Sequence, residues 1–568
     1  MTMFLQFKSQ VSQALTSALE ANSLKITELS FEESIHADIA SSVAFRLAPL
    51  CRKSPKDIAE MLAGSIELPE DGLIDRVETV GPYLNFFANP TFLDRTLSDI
   101  RAQGPNYGIR TGRGKVILEH TSANPNGPLH VGHIRNSIIG DTLARILKKA
   151  GYEVETQYYI NDMGRQIAIV SWALGHFDFD TSKKSDHAIA DIYIKANRVL
   201  NDEPDKVAEI DALMQRIEHG DPDVAERFKH AVDRAMEGIK HTLERLNVHH
   251  DSFAWESTYV RNSDVSTTID RIKDTGRAVV DDGALMVDLT DYGFEKKLVI
   301  QRSDGTSLYT TRDLAYHLWK AGHCDRMIDV LGADHKLISG QLKAVLNALG
   351  ENEPEIVIFE FVSLPEGSMS TRRGKFISTD ELLDQIDTQA LVEVEKRRPD
   401  TDDDFKRNVA NFVGIGAVRY DVVKVSPEKS TIFDWREALD FEKQGAPFIQ
   451  YSHARAYSIM ANAEESGINP AALEHDISVL VEDQEIELIK NLARFPAVID
   501  SAASDLKPHH LATYARELAD SFNQFYRYVP VLNAEAPLRD SRLVLVDSAR
   551  IVLAIVLDTL GIYAPKNM

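Results

Sequence analysis

The stretch Ser122-Ala-Asn-Pro-Asn-Gly-Pro-Leu-His-Val-Gly-His-Ile-Arg-Asn136 lies between a short apolar run, Lys115-Val-Ile-Leu-Glu119, and a segment with apolar residues at Ile134, Ile138, Leu143, Ile146 and Leu147. The run before it reads as a strand. The prolines and glycine within it bar a helix there. The spacing from Ile134 is that of one helix face, and Gly151 ends it. A second strand, Glu153 to Ile160, follows. Strand, loop, helix, strand is a βαβ unit, which predicts a parallel sheet. Ligands of open parallel sheets bind beyond the carboxyl ends of the strands, where His130 and His133 fall. Gly132 has no side chain to keep a flat ligand off the backbone. The free N–H groups of a starting helix suit a phosphate chain. Two histidines three apart, with no third ligand at an obvious spacing, make a weak metal site, and no protein-held metal is expected.

The chain has 568 residues, 43% hydrophobic and 26% charged, too many for a single core; roughly three or four domains are expected. Two cysteines, Cys51 and Cys324, provide neither a disulfide framework nor a cysteine zinc site, so a reducing, cytoplasmic setting is expected. No apolar run approaches the roughly 20 residues that span a bilayer. The first residues, MTMFLQFKSQ, lack a long apolar core, so neither a signal peptide nor a membrane role is expected. A net charge of -24 argues against indiscriminate nucleic-acid binding, though not against a specific RNA docked on local basic patches.

Further out, residues 1–106 read as a small α/β unit: a helix carrying Val11, Leu15 and Leu19, then a strand from Val77 to Phe87 closed by Asn89-Pro90. A Gly-rich basic link, Tyr107 to Gly114, marks a boundary. Residues 185–247 form a helical insertion whose last helix starts at Asp221-Pro222 and keeps Val224, Phe228, Val232, Met236, Ile239, Leu243 and Leu246 on one packing face. Strand signals resume at Leu285–Leu289, Val299-Ile300, Met327–Val330 and Glu355–Phe361. From residue 400 on the pattern is mostly helical, broken near Gly467-Ile-Asn-Pro470.

His-x-Gly-His after a strand resembles the first signature of class I aminoacyl-tRNA synthetases, and the whole quoted stretch resembles the arginyl-tRNA synthetase form of it. Tyr159-Ile-Asn-Asp-Met-Gly-Arg-Gln166, Asp304-Gly-Thr-Ser-Leu-Tyr-Thr-Thr-Arg-Asp313 and Met369-Ser-Thr-Arg-Arg-Gly374 are similar to further blocks of that family. So are Gly81-Pro-Tyr-Leu-Asn-Phe-Phe87, Phe448-Ile-Gln-Tyr-Ser-His-Ala-Arg455 and Leu518-Ala-Asp-Ser-Phe-Asn-Gln-Phe-Tyr526. The matches run in order over nearly the whole chain. The resemblance implies a multidomain α/β protein. Its parts are an N-terminal additional domain over 1–106 that touches the tRNA elbow and a Rossmann-like catalytic domain over 107–390 with the insertion. A stem-contact or linker region over 391–440 and an all-α anticodon-binding domain over 441–568 complete it. The implied activity is ATP-dependent arginylation of tRNA-Arg through arginyl-adenylate, by a monomer, with Mg2+ arriving on ATP.

Residue roles follow from the same resemblance. His130 and His133 donate to the phosphates, and Gly132 packs near the adenine. Gly332, Asp334 and His335 lie against the ribose and aminoacyl group. Tyr309 and Asp313, four apart, share a face if a helix begins there, and Asp313 can take the arginine fork in a bidentate bond. Glu256 is the second carboxylate on the guanidinium, Asn124 holds the α-amino or carboxylate end, and Glu119 stands nearby. Such a site rejects lysine, whose point charge leaves acceptors unmet. The nucleotide loop contributes Met369 and Ser370. It departs from the family's Lys-Met-Ser-Lys-Ser pattern: Thr371 holds the place of the second lysine, and Gly127 stands where a compensating lysine is expected. Arg372, Arg373 or Lys375 is the candidate replacement cation. Tyr451, Phe525, Tyr526 and Tyr528, with Arg455, are candidates for stacking on anticodon bases. Two rivals stay open: another nucleotidyltransferase of this fold, and a silent paralogue that binds tRNA without turnover.

Overall fold

The computed structural model describes residues 2–26, 29–34, 37–363, 377–440, 443 and 445–568. The N-terminal region packs helix Met3–Ala21 and two short helices on an antiparallel sheet of strands 32–34, 37–41, 83–88 and 74–80, in that order. The single strand expected from Val77 to Phe87 is a hairpin instead. Ile74–Val80 pairs antiparallel with Tyr83–Ala88. The chain reverses at Gly81, whose φ of +59° only glycine adopts without strain.

The central sheet has five parallel strands: β1 (Lys115–Glu119), β2 (Glu153–Ile160), β3 (Ser252–Trp255), β4 (Arg326–Gly332) and β5 (Glu355–Phe359). Their order is β5-β4-β1-β2-β3. β1 is the central strand with β4 beside it, and both are largely buried, which is why they read as apolar runs, broken in β4 only by Asp329, rather than as alternating ones. Helix α1 (Val131–Lys149) connects β1 to β2 on one side, while β4 lies on the other side of β1. The strand order therefore reverses between β1 and β4, and their carboxyl ends flank the crevice where ligands of such sheets bind.

Between β2 and β3 lies the insertion, with α2 (Ser185–Asp202), a helix at 207–218 and α3 (Pro222–Arg245). Asp221 caps α3 through its carboxylate to the Asp223 and Val224 amides, with Pro222 in the first turn. Between β3 and β4 come α4 (Glu256–Arg261), a helix at 264–274 and a three-stranded antiparallel sheet of 278–281, 284–287 and 298–301. The strand signals near 285 and 299 thus belong to this small separate sheet. Helix α5 (Tyr309–Ala321) then leads back to β4.

Beyond β5, Val362–Ser363 pairs with Thr431–Ile432, and α6 (Thr379–Arg397) packs on α7 (Asp403–Val423). The C-terminal region is α8 (Ala446–Glu465), α9 (Asp483–Asp505), α10 (His509–Tyr528) and α11 (Leu538–Thr559). The basic link after residue 106 is seated on α9: Arg110 and Arg113 both pair with Asp500, at 2.6 and 2.9 Å. Among the described residues no helix is long and apolar enough to cross a membrane.

Candidate active site

Helix α1 begins one residue after His130, which is its N-cap. His130 Nδ1 accepts the Gly132 amide at 3.1 Å, and His133 Nδ1 accepts the His130 amide at 3.2 Å. Each ring is thereby fixed with Nδ1 as acceptor, so in the neutral form each carries its proton on Nε2. The rings stack 3.7 Å apart, an arrangement two cations would resist. Burial lowers the basicity of both, and His133, also beside His130, falls to about 3. Gly132 has a reason the sequence did not reveal: a Cβ there would stand 2.8 Å from His130 Cε1 and displace the cap.

The turn after β1 is strained. Thr121 and Ser122 take φ of +69° and +39°, at a cost of about 1–3 kcal/mol each. α1 holds it in place. Asn136 Oδ1 accepts the Thr121 amide at 2.8 Å while its Nδ2 donates to Val330 O of β4 at 3.1 Å, so one side chain joins both edges of the crevice. Ser122 Oγ in turn donates to Glu119 at 3.0 Å and accepts the Tyr159 amide at 3.1 Å.

Three carboxylates bear electrostatically on Tyr159, and Glu256 accepts from its hydroxyl at 3.3 Å. Glu256, Asp313 and Glu119, in that order after burial itself, push its hydroxyl well above its usual range. Glu256 is 1% exposed, and burial raises it to about 6. Both of its oxygens are engaged within the chain: Oε1 by Arg312 Nη1 at 2.6 Å and Oε2 by the Tyr159 hydroxyl at 3.3 Å. Glu256, expected as the second carboxylate on the guanidinium, already holds Arg312, which turns inward on α5 between Glu256 and Glu218. Tyr309 and Asp313 do lie on a helix, α5, whose first residue is Tyr309. Tyr309 is 55% exposed, and Asp313 is a partly open carboxylate paired with His317 at 3.1 Å.

Other expected residues sit as follows. Asn124 is exposed beyond β1. Gly127 faces α2: a Cβ there would meet the Ala190 methyl at 3.2 Å, tighter than an ordinary contact. Gly332 ends β4, and Asp334 and His335 follow in a short 3-10 turn, both open to solvent. Met369, Ser370, Arg372, Arg373 and Lys375 lie outside the described residues, as does Thr371. Ser378 bridges to His130, while the Thr379 amide donates to Leu129 O at 2.8 Å. In the C-terminal region Arg455 lies between the rings of Tyr451 and Tyr526, 4.6 and 4.4 Å from their centres. Arg455 and Tyr526 line a groove of about 750 Å³. Tyr451, Tyr526 and Tyr528 are exposed, but Phe525 is fully buried. Phe525 is withdrawn as a base-stacking candidate, since it lies on the core face of α10.

Sequence reasoning missed Arg312, His317, Lys320 and Asp329. The signals were there. Asp329 is a lone charge inside the apolar run of β4, and His317 and Lys320 stand four and seven residues past Asp313, on the same helix face.

Comparison with known proteins fits this geometry. Residues 96–435 match a family model described as "tRNA synthetases class I (R), catalytic domain". Residues 449–568 match a DALR anticodon binding domain, and residues 5–88 an arginyl tRNA synthetase N terminal domain. The arginine–tRNA ligase of Methanococcoides burtonii is 62% identical over 567 residues, with 100% of each chain covered. That of Methanosarcina barkeri is 61% identical over 569 residues, again with 100% of each covered. Thermus thermophilus arginyl-tRNA synthetase superposes with a TM-score of 0.85 at 30% identity, covering 98% of this chain and 99% of its own.

Proposed function

The chain belongs to the arginine–tRNA ligases of class I, and from that premise we propose how its residues divide the work. The enzyme joins L-arginine to ATP, releasing pyrophosphate, and passes the arginyl group from the adenylate to the 3′ end of tRNA-Arg. The observation that carries the reading of the site is the pair His130 and His133 at the capped start of α1, beyond the carboxyl end of β1 in the parallel sheet.

In the first step an arginine carboxylate oxygen attacks the α-phosphorus and the bond to pyrophosphate breaks. Such chemistry is governed by positioning and by donors aimed at spreading negative charge. His130 and His133 are those donors, through Nε2, and need no proton from solvent because both are neutral at pH 7. Gly132 lies against the adenine, and Gly332, Asp334 and His335 against the ribose and the aminoacyl group. Mg2+ comes with ATP, held by phosphates and water. Among the described residues the two carboxylate–histidine clusters, at Asp329 and at Asp380, already hold Lys320 and Lys184 respectively.

Arginine lies with its α-ammonium near Glu119 and Asn124 and its guanidinium on Asp313, with the Tyr309 hydroxyl accepting one further bond. A carboxylate offers about four lone-pair sites, so Glu256 keeps capacity for the guanidinium beyond Arg312 and Tyr159. Arg372, Arg373 or Lys375 provides the loop cation over pyrophosphate. Tyr451, Arg455, Tyr526 and Tyr528 bind anticodon bases, residues 1–106 touch the tRNA elbow, and 391–440 link the catalytic and anticodon-binding parts. The enzyme works as a monomer in the cytoplasm, a setting its two free cysteines suit.

The test is charging of tRNA-Arg with arginine, lysine and citrulline, with pyrophosphate exchange run in the presence and absence of tRNA. Charging with arginine alone is expected. Tight tRNA binding without charging would favour the silent paralogue. Single alanine variants at Arg372, Arg373 and Lys375 that all keep adenylate formation would remove the loop assignment.

A further inference from the structure

A buried file of charged groups runs beneath the crevice. Glu119 and Asp329 are register partners on the adjacent strands β1 and β4. Lys320 Nζ bridges them, at 3.1 Å to Glu119 Oε2 and 2.7 Å to Asp329 Oδ1. His317 Nε2 meets Asp329 Oδ2 at 2.8 Å, and its Nδ1 is shared between Asp313 O at 2.8 Å and Asp313 Oδ1 at 3.1 Å. The order Glu119, Lys320, Asp329, His317, Asp313 alternates in sign. The three inner side chains are 0%, 2% and 3% exposed, whereas the two ends, Glu119 and Asp313, are 10% and 33% exposed. Tyr316, also buried, lies under Lys320 with its ring 4.2 Å from Nζ and ties the file to Gln157 of β2.

A buried ion network is weak evidence for stability, because an apolar set of the same shape often serves as well. This one has a direction: only its ends reach the crevice, and both ends are carboxylates. Three carboxylates and two cations leave one negative charge, which free arginine, carrying one net positive charge, would balance.

We propose that His317, Asp329 and Lys320 are positioning residues that hold Glu119 and Asp313 in register with the two cationic ends of arginine. This rests on the reading that Asp313 takes the guanidinium. His317 acts on specificity through Asp313: pinned from behind, the carboxylate keeps the orientation a bidentate fork requires, which a point-charge ammonium does not reward. The structure agrees with a charged imidazole, since Asp329 and Asp313 outweigh burial and Lys320 and raise His317 to about 10.

Two substitutions separate its nitrogens. Glutamine brings an amide nitrogen to the place of Nε2 and asparagine to the place of Nδ1, so His317→Gln loses the Asp313 contact and His317→Asn keeps it. Steady-state charging by the full-length enzyme is expected to show KM for arginine raised roughly tenfold or more in His317→Gln. KM for ATP should not change, and His317→Asn should move less than about threefold. In an Asp313→Asn background, His317→Gln should add less than about twofold, because its target is gone. No change in KM for arginine with His317→Gln, equal effects of the two variants, full additivity, or loss of folding in both would overturn the proposal. Asp313→Asn leaving KM for arginine unchanged would instead sink the guanidinium reading itself, and the proposal with it.

Discussion

At pH 7 the two imidazoles at the start of α1 do their work uncharged, and this can be tested one atom at a time. His133→Asn keeps an acceptor for the His130 amide but has no atom at Nε2. Pyrophosphate exchange by this variant should fall about 10²–10³-fold, the usual loss for one donor to developing charge, with the melting temperature held within a few degrees. The same burial has a stability consequence. Unfolded, the His133 imidazole takes up a proton near pH 6.5; folded, it does so only near 3, and His250, also buried, near 4. Between those values the unfolded chain binds more protons, so stability falls as pH falls from about 6.5 towards 4. His317 has the opposite sign. Folded, it holds its proton to about 10, so its contribution is intact below about 6.5 and is lost as pH rises through 10. Denaturant midpoints measured from pH 5 to 10 should therefore fall at both ends, and His317→Gln should flatten the alkaline limb.

At the scale of the element, α1 is the part that everything at the site leans on. Its first residue follows the histidine cap, its Asn136 joins the ends of β1 and β4, and its Arg135 is wholly buried. The Arg135 guanidinium donates to Glu360 O at 2.6 Å, Lys429 O at 2.7 Å and Ser426 O at 3.1 Å. One side chain thus fixes the chain just before residue 364 to the turn before strand 431–432, while Ser378, just after residue 376, bridges to His130. Both flanks of the nucleotide loop are tied to one helix. Arg135→Lys keeps the charge but not the fork, leaving buried carbonyls without a donor. Urea unfolding should show a loss of about 2–4 kcal/mol; an unchanged midpoint would mean that the carbonyls find other donors. The helix itself was legible in the sequence from its period and from Gly151. Its true start was not, because the cap is a histidine rather than Ser, Thr, Asp or Asn.

Across the whole molecule, Arg419 is the point where three regions meet. It is fully buried on α7 and pairs with Asp141 of α1. It also donates to Leu560 O at the end of α11, at 2.8 Å, and to Leu246 and Asn247 O at the end of the insertion, at 2.8 and 3.0 Å. Gly561 is glycine for this reason: a Cβ there would collide with the guanidinium at 2.1 Å. Arg419→Met leaves the buried Asp141 with Arg145 alone and takes this donor from the Leu560 and Leu246 carbonyls, so a loss of about 2–4 kcal/mol is expected. Arginylation should suffer more than arginine-independent tRNA binding, because the anticodon-binding helices lose their tie to α1. A charging rate that falls only in step with tRNA affinity would count against that tie.

What the sequence determined by itself is what repeats locally or is spelled out in a short run: the βαβ unit, the His130–His133 signature at its phosphate end, the insertion with its Asp221-Pro222 start, and the all-helical C-terminal region. These rest on period, capping and turn chemistry, which act over a few residues. Tertiary structure decided the partnerships. Asp329 had no evident partner in the sequence, and it gained one when β4 paired with β1 beside Glu119. Glu256 gained Arg312 from α5, and Phe525 looked available until α10 buried that face. The hairpin at Gly81 and the small sheet near 285 were missed for another reason: they pair neighbouring strands across short turns that the apolar pattern alone did not mark. A buried charge is tolerated only where its partner stands, and the partners here come from distant elements: Lys320 stands 201 residues from Glu119, and Arg419 stands 278 from Asp141.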